Sequence, residues 1–226
     1  MFYRNKSVNF CVYIICVFIC FFGIINATNA QNFDLISAEK NAILINNFEF
    51  FKDEINENSD EKNYYINADF EFTLHKNLEE ALHRGINLNF VAEFTLQKPR
   101  KFWFDKHILQ KKHSLQLSYH PIQREYRLNS YETELFGLSQ NFNNLFDALR
   151  VIKRLRHWQI ISANDANYLQ NGKKYYANFS IYLDNSKLPK PFQISIIGDK
   201  TWQLSSDIKK WEFTYKIIQK LYIREL

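Results

Sequence analysis

Two runs of strict alternation restrict what this chain can fold into more than any other feature. From Tyr64 to His75, the apolar Tyr64, Ile66, Ala68, Phe70, Phe72 and Leu74 take turns with Tyr65, Asn67, Asp69, Glu71, Thr73 and His75. From Ile86 to Gln97 the pattern returns, with Ile86, Leu88, Phe90, Ala92, Phe94 and Leu96 on one side and Asn87, Asn89, Glu93 and Thr95 on the other. A period of two over such lengths is a long strand with one wet face. Two such strands imply a sheet with one solvated side. Between them Asn77 stands where an N-cap would, Glu79 and Glu80 occupy a first turn and Gly85 follows the end, which predicts a two-turn helix over Leu78 to Arg84. First-turn acids oppose the helix dipole, and that is the ordinary reading of Glu79 and Glu80.

Shorter strand signals flank this centre. Phe33 to Ala38 and Ala42 to Phe51 read as a first pair of strands, and Lys98 to Asp105 as a turn into another. His113 to Tyr119 and Ile122 to Leu128 continue the pattern around Pro121. Lys174 to Asp184 alternates again, Phe192 to Ile197 follows the rigid turn Leu188-Pro189-Lys190-Pro191, and Trp202 to Leu204 and Trp211 to Tyr215 close the series. A succession of sequential strands favours an antiparallel meander. One stretch breaks the period: Phe142, Leu145, Phe146, Leu149, Ile152, Leu155 and Trp158 recur every three to four residues, with Ser139 as N-cap and Arg150, Lys153, Arg154 and Arg156 gathered in the last turns. The spacing predicts an amphipathic helix from Ser139 to Trp158. The fold class expected is therefore α+β, mainly antiparallel β as a curved sheet or sandwich, with one long amphipathic helix and one short helix. Its core face includes Phe70, Phe72, Phe90, Phe94, Leu145, Leu149, Phe179 and Ile181.

Residues 1–30 are of another kind. Only positive charge precedes Phe10 to Ile25, a 16-residue run without a charged or amide side chain, and short residues follow to Ala30. That is the layout of a signal peptide or an N-terminal membrane anchor, the run being just short of a comfortable span of about 18 to 20 residues. Either way the single domain over 31–226 is expected outside the cytoplasm, periplasmic, cleaved and soluble or held at the inner membrane by residues 8–25. Cys11, Cys16 and Cys20 all lie in the run, so the exported part has no cysteine chemistry. Without Arg4 and Lys6 the net charge of +5 falls to +3, with 27 basic against 24 acidic residues, which is not the balance of a nucleic-acid binder. The polar stretch Lys52 to Asn63 reads as an exposed loop, since it lacks the acidic spacing and turn glycine of a calcium loop.

Glycine-rich phosphate loops, nucleophile elbows and zinc-protease motifs are absent from the sequence, and neither a catalytic residue, a cofactor nor a metal site is assigned from it. His107, His113 and His120 are spaced by six and seven, on different faces or strands, which suits surface or hydrogen-bonded histidines better than a metal. The most unusual composition is Lys98 to Arg127, where eight cations face Asp105 and Glu125 with aromatic residues interleaved. If a ligand or partner surface exists it is expected here, with Arg100, Trp103, His120, Arg124 and Arg127 as its binding residues, arginine being suited to bidentate capture of carboxylate or phosphate. Anionic lipid, anionic glycan or an envelope protein are the partners this suggests. The function expected is a non-enzymatic binding or signalling accessory domain of the cell envelope. The alternative is a hydrolase or transferase acting on envelope glycan or lipid, with Asp105 and Glu125 near His107 and His120.

Several strings resemble a known family: Ile36-Ser37-Ala38-Glu39, Leu78-Glu79-Glu80-Ala81-Leu82 with Gly85-Ile86, Arg100-Lys101-Phe102-Trp103-Phe104-Asp105, Leu117-Ser118-Tyr119-His120-Pro121 with Arg124-Glu125-Tyr126-Arg127, Leu188-Pro189-Lys190-Pro191-Phe192-Gln193, and Trp202-Gln203-Leu204-Ser205-Ser206. In these the chain is similar to the DUF 4390 group of exported proteobacterial proteins, a family of unknown function. The resemblance implies export and a single domain and supplies no catalytic residue. It also implies, from the genes that tend to lie beside those of the family, an inner-membrane partner such as a sensor kinase.

Overall fold

The computed structural model describes residues 42–52, 63–101, 104–132 and 135–215. The apolar run with its cysteines, the strand expected at Phe33 to Ala38, residues 53–62 of the polar loop and Trp103 lie outside the described residues. The domain is mostly β: β1 (Ala42–Lys52), β2 (Tyr64–Glu71), β3 (Leu88–Lys98), β4 (Lys106–His120), β5 (Glu125–Glu132), β6 (Leu135–Phe142), β7 (Arg154–Ile161), β8 (Lys174–Leu183), β9 (Ser205–Ser206) and β10 (Lys209–Thr214). Four helices accompany them among the described residues: α1 (Lys76–His83), α2 (Leu145–Ile152), α3 (Ala163–Ala166) and α4 (Lys190–Ser195). None of these helices is long and apolar enough to cross a membrane.

The strands form one mixed sheet in the order β6-β5-β4-β3-β8-β9-β1-β2-β7, with β10 also on β8. Pairing is antiparallel except where β9 meets β1 in parallel. Phe179 of β8 lies 5.3 Å from the ring of Phe48 on β1, 6.2 Å from Phe70 on β2 and 6.4 Å from Trp158 on β7. Strands that stand apart along the sheet touch in this way only if the sheet curls on itself, and the result is a half-barrel. Its interior is filled by the apolar residues of the alternating runs: Phe70, Phe72, Phe90, Phe94, Phe179 and Ile181 are buried, while Leu145 and Leu149 pack half-buried against them. The enclosed space left between Phe70, Phe90, His113, Ile152 and Ile181 is about 10 Å³, room for no more than a water.

The single long helix does not form. Residues 139–142 belong to β6, and Asn144, not Ser139, caps a helix of eight residues by accepting the Asp147 N–H at 2.9 Å. The helix stops at Lys153, whose carbonyl accepts the N–H of Phe70 at 2.8 Å, so the backbone of β2 takes over from the helix ladder. Beyond it, Leu155 and Trp158 stand three apart, the interval that suggested continued helix. In the sheet they face Ala68 and Ile66 of β2, which are two apart. His157 accounts for the difference: it adopts a left-handed backbone with φ of 52° and adds one residue to the strand, a bulge that imitates helical spacing. Its N–H donates to Asn67 Oδ1 at 2.8 Å, so no donor is lost.

Two smaller expectations also change. Phe192 to Ile197 is not a strand: Pro189 caps α4 and Pro191 sits in its first turn, a place proline favours because no helical N–H is needed there. The N-cap of α1 is His75 in place of Asn77, its Nδ1 accepting from the Asn77 N–H at 3.3 Å. Gly85 ends that helix as expected, with φ of 88°, a conformation costly for residues with a Cβ.

Candidate functional site

Register decides which side chains share a neighbourhood. Leu88 pairs with Leu117, Phe90 with Leu183, and Leu44 with Glu71. The starts of β1, β3 and β7 therefore lie at the same end of the sheet as the finishes of β2, β4 and β8. Helices α1 and α2 sit at this end. His83 of α1 is 2.6 Å from the hydroxyl of Tyr126, whose acidity burial weakens, and stands edge-on to Tyr119.

Three of the sequence-predicted binding residues meet there. His120 pairs with Glu125 across the β4–β5 hairpin, Arg127 pairs with Ser118, and Arg124 closes the turn with φ of 55°. The Arg127 Nε donates to Asn141 Oδ1 at 3.1 Å, and Asn141 Nδ2 donates to Glu125 at 3.3 Å, which ties this arginine into the sheet. Arg100 is elsewhere. It lies in the β3–β4 turn, where its N–H donates to Asp105 at 3.3 Å. A 15-residue β4 separates that turn from His120 by about 45 Å. The same length divides Asp105 and His107 from Glu125 and His120, and strings the three histidines out along one strand. Among the described residues no three His, Cys, Asp or Glu side chains gather as a metal would need.

The strongest site is one the sequence marked only as a helix end. Between the last turn of α2, the start of β7 and the end of β2 lies a cleft of about 340 Å³, lined by Asp69, Phe70, Phe146, Leu149, Arg150, Lys153, Arg154 and Arg156. Arg150 comes from the last turn of α2, where a cation opposes the negative end of the dipole, and forms an ion pair with Asp147 at 3.3 Å. Arg156 is the bracket of the floor. Its Nη1 donates to the carbonyls of Ala68 and Leu155 at 2.8 and 2.9 Å, and its Nη2 binds Asp69. Hydrogen bonds from Asn47 and Arg156 hold the Asp69 carboxyl below the usual carboxylate range. That carboxylate is ionised and committed. Lys153 lies 5.1 Å over the ring of Phe72, and among the described residues neither Lys153 nor Arg154 has a carboxylate at ion-pair distance. The cleft thus offers a phosphate or carboxylate two cations with free hydrogen-bonding capacity on a wall of Phe146 and Leu149.

A roomier hollow of about 490 Å³ lies between Gln97, Asp105, Tyr176, Asn178, Lys210, Trp211 and Glu212. Its charges are of both signs, and Glu212 already binds Lys174 at 3.0 Å, so no one kind of ligand is selected.

Compared with known proteins, the chain matches the family described as Domain of unknown function (DUF4390) over residues 52–212, which takes in the cleft and nearly the whole sheet. It is the family the sequence motifs resemble. No curated protein and no solved structure matches.

Proposed function

We propose, for a chain that belongs to the DUF4390 family, a non-enzymatic binding or signalling accessory role in the cell envelope, in which the basic cleft captures a phosphate- or carboxylate-bearing group. The observation that carries this reading is the pair Lys153 and Arg154, two cations beside a partly apolar wall that, among the described residues, have no carboxylate at ion-pair distance, the nearby Asp69 being bound by Arg156 and Asn47. Asp69 supports it as well. A carboxylate held ionised by Asn47 and Arg156 positions its neighbours and is poorly placed to exchange protons. The apolar run at residues 10–25 supports the envelope location.

The reading is tested by titration calorimetry of the full chain at low salt with two probes, inorganic pyrophosphate and oligogalacturonate. At least one should bind, more weakly as salt rises, and the double variant Lys153→Ala/Arg154→Ala should lose about tenfold in affinity at an unchanged melting temperature. Failure of both probes to bind, or equal binding by the variant, would reject it.

A further inference from the structure

Between β8 and β9 the chain makes a projection whose inner side is pinned and whose outer side is apolar. Leu188 and Trp202 are buried at its base, and Phe192 of α4 stands edge-on to Trp202 at 5.0 Å. Asn185 Nδ2 donates to the Trp202 carbonyl at 2.6 Å, and Gln193 Nε2 to that of Leu188 at 2.7 Å. With Phe192 and Ile196 turned inward, α4 and the turn after it have their packing satisfied, yet Ile194 and Ile197 remain 70% and 79% exposed. One exposed isoleucine is ordinary. Two on one short helix and the turn after it, in a segment that also carries the exposed Lys187, Lys190 and Lys200, make an apolar tip on a cationic stretch of chain. Two acids lie in the same segment, and both are engaged within their own turns: Asp184 by the N–H and hydroxyl of Ser186 at 3.0 and 2.6 Å, and Asp199 by those of Thr201 at 2.9 and 2.7 Å.

We propose that this projection docks on the surface of a bilayer containing anionic phospholipid, with Ile194 and Ile197 at the boundary of headgroups and acyl chains and the lysines among the phosphates. Charge complementarity selects this occupant, since the segment carries three exposed ammonium groups against two carboxylates that are both occupied by hydrogen bonds within their own turns. A second copy of the chain suits the surface badly. Two isoleucines supply far less than the roughly 800 Å² per partner of a stable interface, and self-association would press like charges together. The inference goes beyond the anion cleft and does not require it.

The test is amide hydrogen exchange of the full chain, in detergent, in phosphatidylcholine nanodiscs, and in nanodiscs that also contain phosphatidylglycerol. Exchange over residues 192–199 should slow by about fivefold or more in the anionic discs and much less in the neutral ones. The variant Ile194→Asn/Ile197→Asn should lose that slowing, Lys187→Gln/Lys190→Gln/Lys200→Gln should lose its dependence on phosphatidylglycerol, and Lys153→Ala/Arg154→Ala should keep both. Equal exchange in all three media would overturn the proposal. So would slowing that survives the isoleucine variant, or slowing that grows with protein concentration without lipid, which would mean a second copy covers the tip.

Discussion

Asp165 carries three jobs on one carboxylate. It accepts the Ser162 N–H and hydroxyl at 2.9 and 2.8 Å, and its own N–H donates to Ser162 Oγ at 3.2 Å, the reciprocal box that starts α3. It also meets Lys111 Nζ at 3.0 Å, which joins the segment after β7 to β4, strands that are not neighbours in the sheet. Burial alone would raise its pKa, but the hydrogen bonds from Ser162 and the charge of Lys111 outweigh burial and bring it below the ordinary value. A depressed folded pKa means that the contribution to stability is fully present above the unfolded value of about 3.9 and is lost as pH falls through the folded one. Asp165→Asn should therefore cost about 1 to 2 kcal/mol at neutral pH. It should also flatten the fall in stability below about pH 4. Some slope will persist, because Asp69 is depressed as well. Denaturant midpoints between pH 7 and pH 3 measure both effects, and a variant with the parent's acid slope would show that the box does not titrate as described.

At the scale of elements, the limits of the sequence can be traced to particular residues. The long alternating runs became β2 and β3 because each shows one face to the core and one to water, a property that period two reports directly. The stretch after Leu138 misled for a reason equally local: a left-handed His157 shifts one strand face by a residue, and a real two-turn helix lies just before it. The N-cap separates the two descriptions. Asn144→Ala should cost about 1 kcal/mol, whereas Ser139→Ala, exposed on β6, should stay within about 0.5 kcal/mol. The reverse ranking in chemical denaturation would restore the long helix. The candidate site was half visible. Arg150, Lys153, Arg154 and Arg156 stood out as a cluster, but their neighbour Asp69 comes from β2, more than eighty residues earlier, and pairing of Asp69 with Arg154 brings it there. Nearness in sequence likewise grouped Arg100 with Arg124 and Arg127, and the extended length of β4 then separated them.

At the scale of the molecule, the half-barrel depends on contacts between its two limbs, since backbone pairing alone would allow a flatter sheet. Strand β8 stands near the middle of the order, paired with β3 on one side and with β9 and β10 on the other. Phe179 is the ring on β8 that both limbs use. It is 1% exposed, lies on the strand opposite Phe94 of β3, and touches Phe48, Phe70 and Trp158 of the returning limb. Removing it deletes apolar surface and leaves a void that no neighbour can fill, because the rings around it are held by their own strand registers. Phe179→Ala should therefore cost about 3 to 5 kcal/mol, a large part of the roughly 5 to 15 kcal/mol that holds a domain together. Phe179→Leu keeps most of the volume and should cost clearly less. An equally buried aromatic with a smaller share in joining the limbs, Phe90, serves as comparison. Near-UV circular dichroism adds a second readout: the alanine variant should lose aromatic signal before far-UV β signal on titration with urea, since limb contact fails before strand pairing. A loss below about 1.5 kcal/mol with coincident transitions would show that the curl is set by backbone twist and the helical ends, and that Phe179 only fills space.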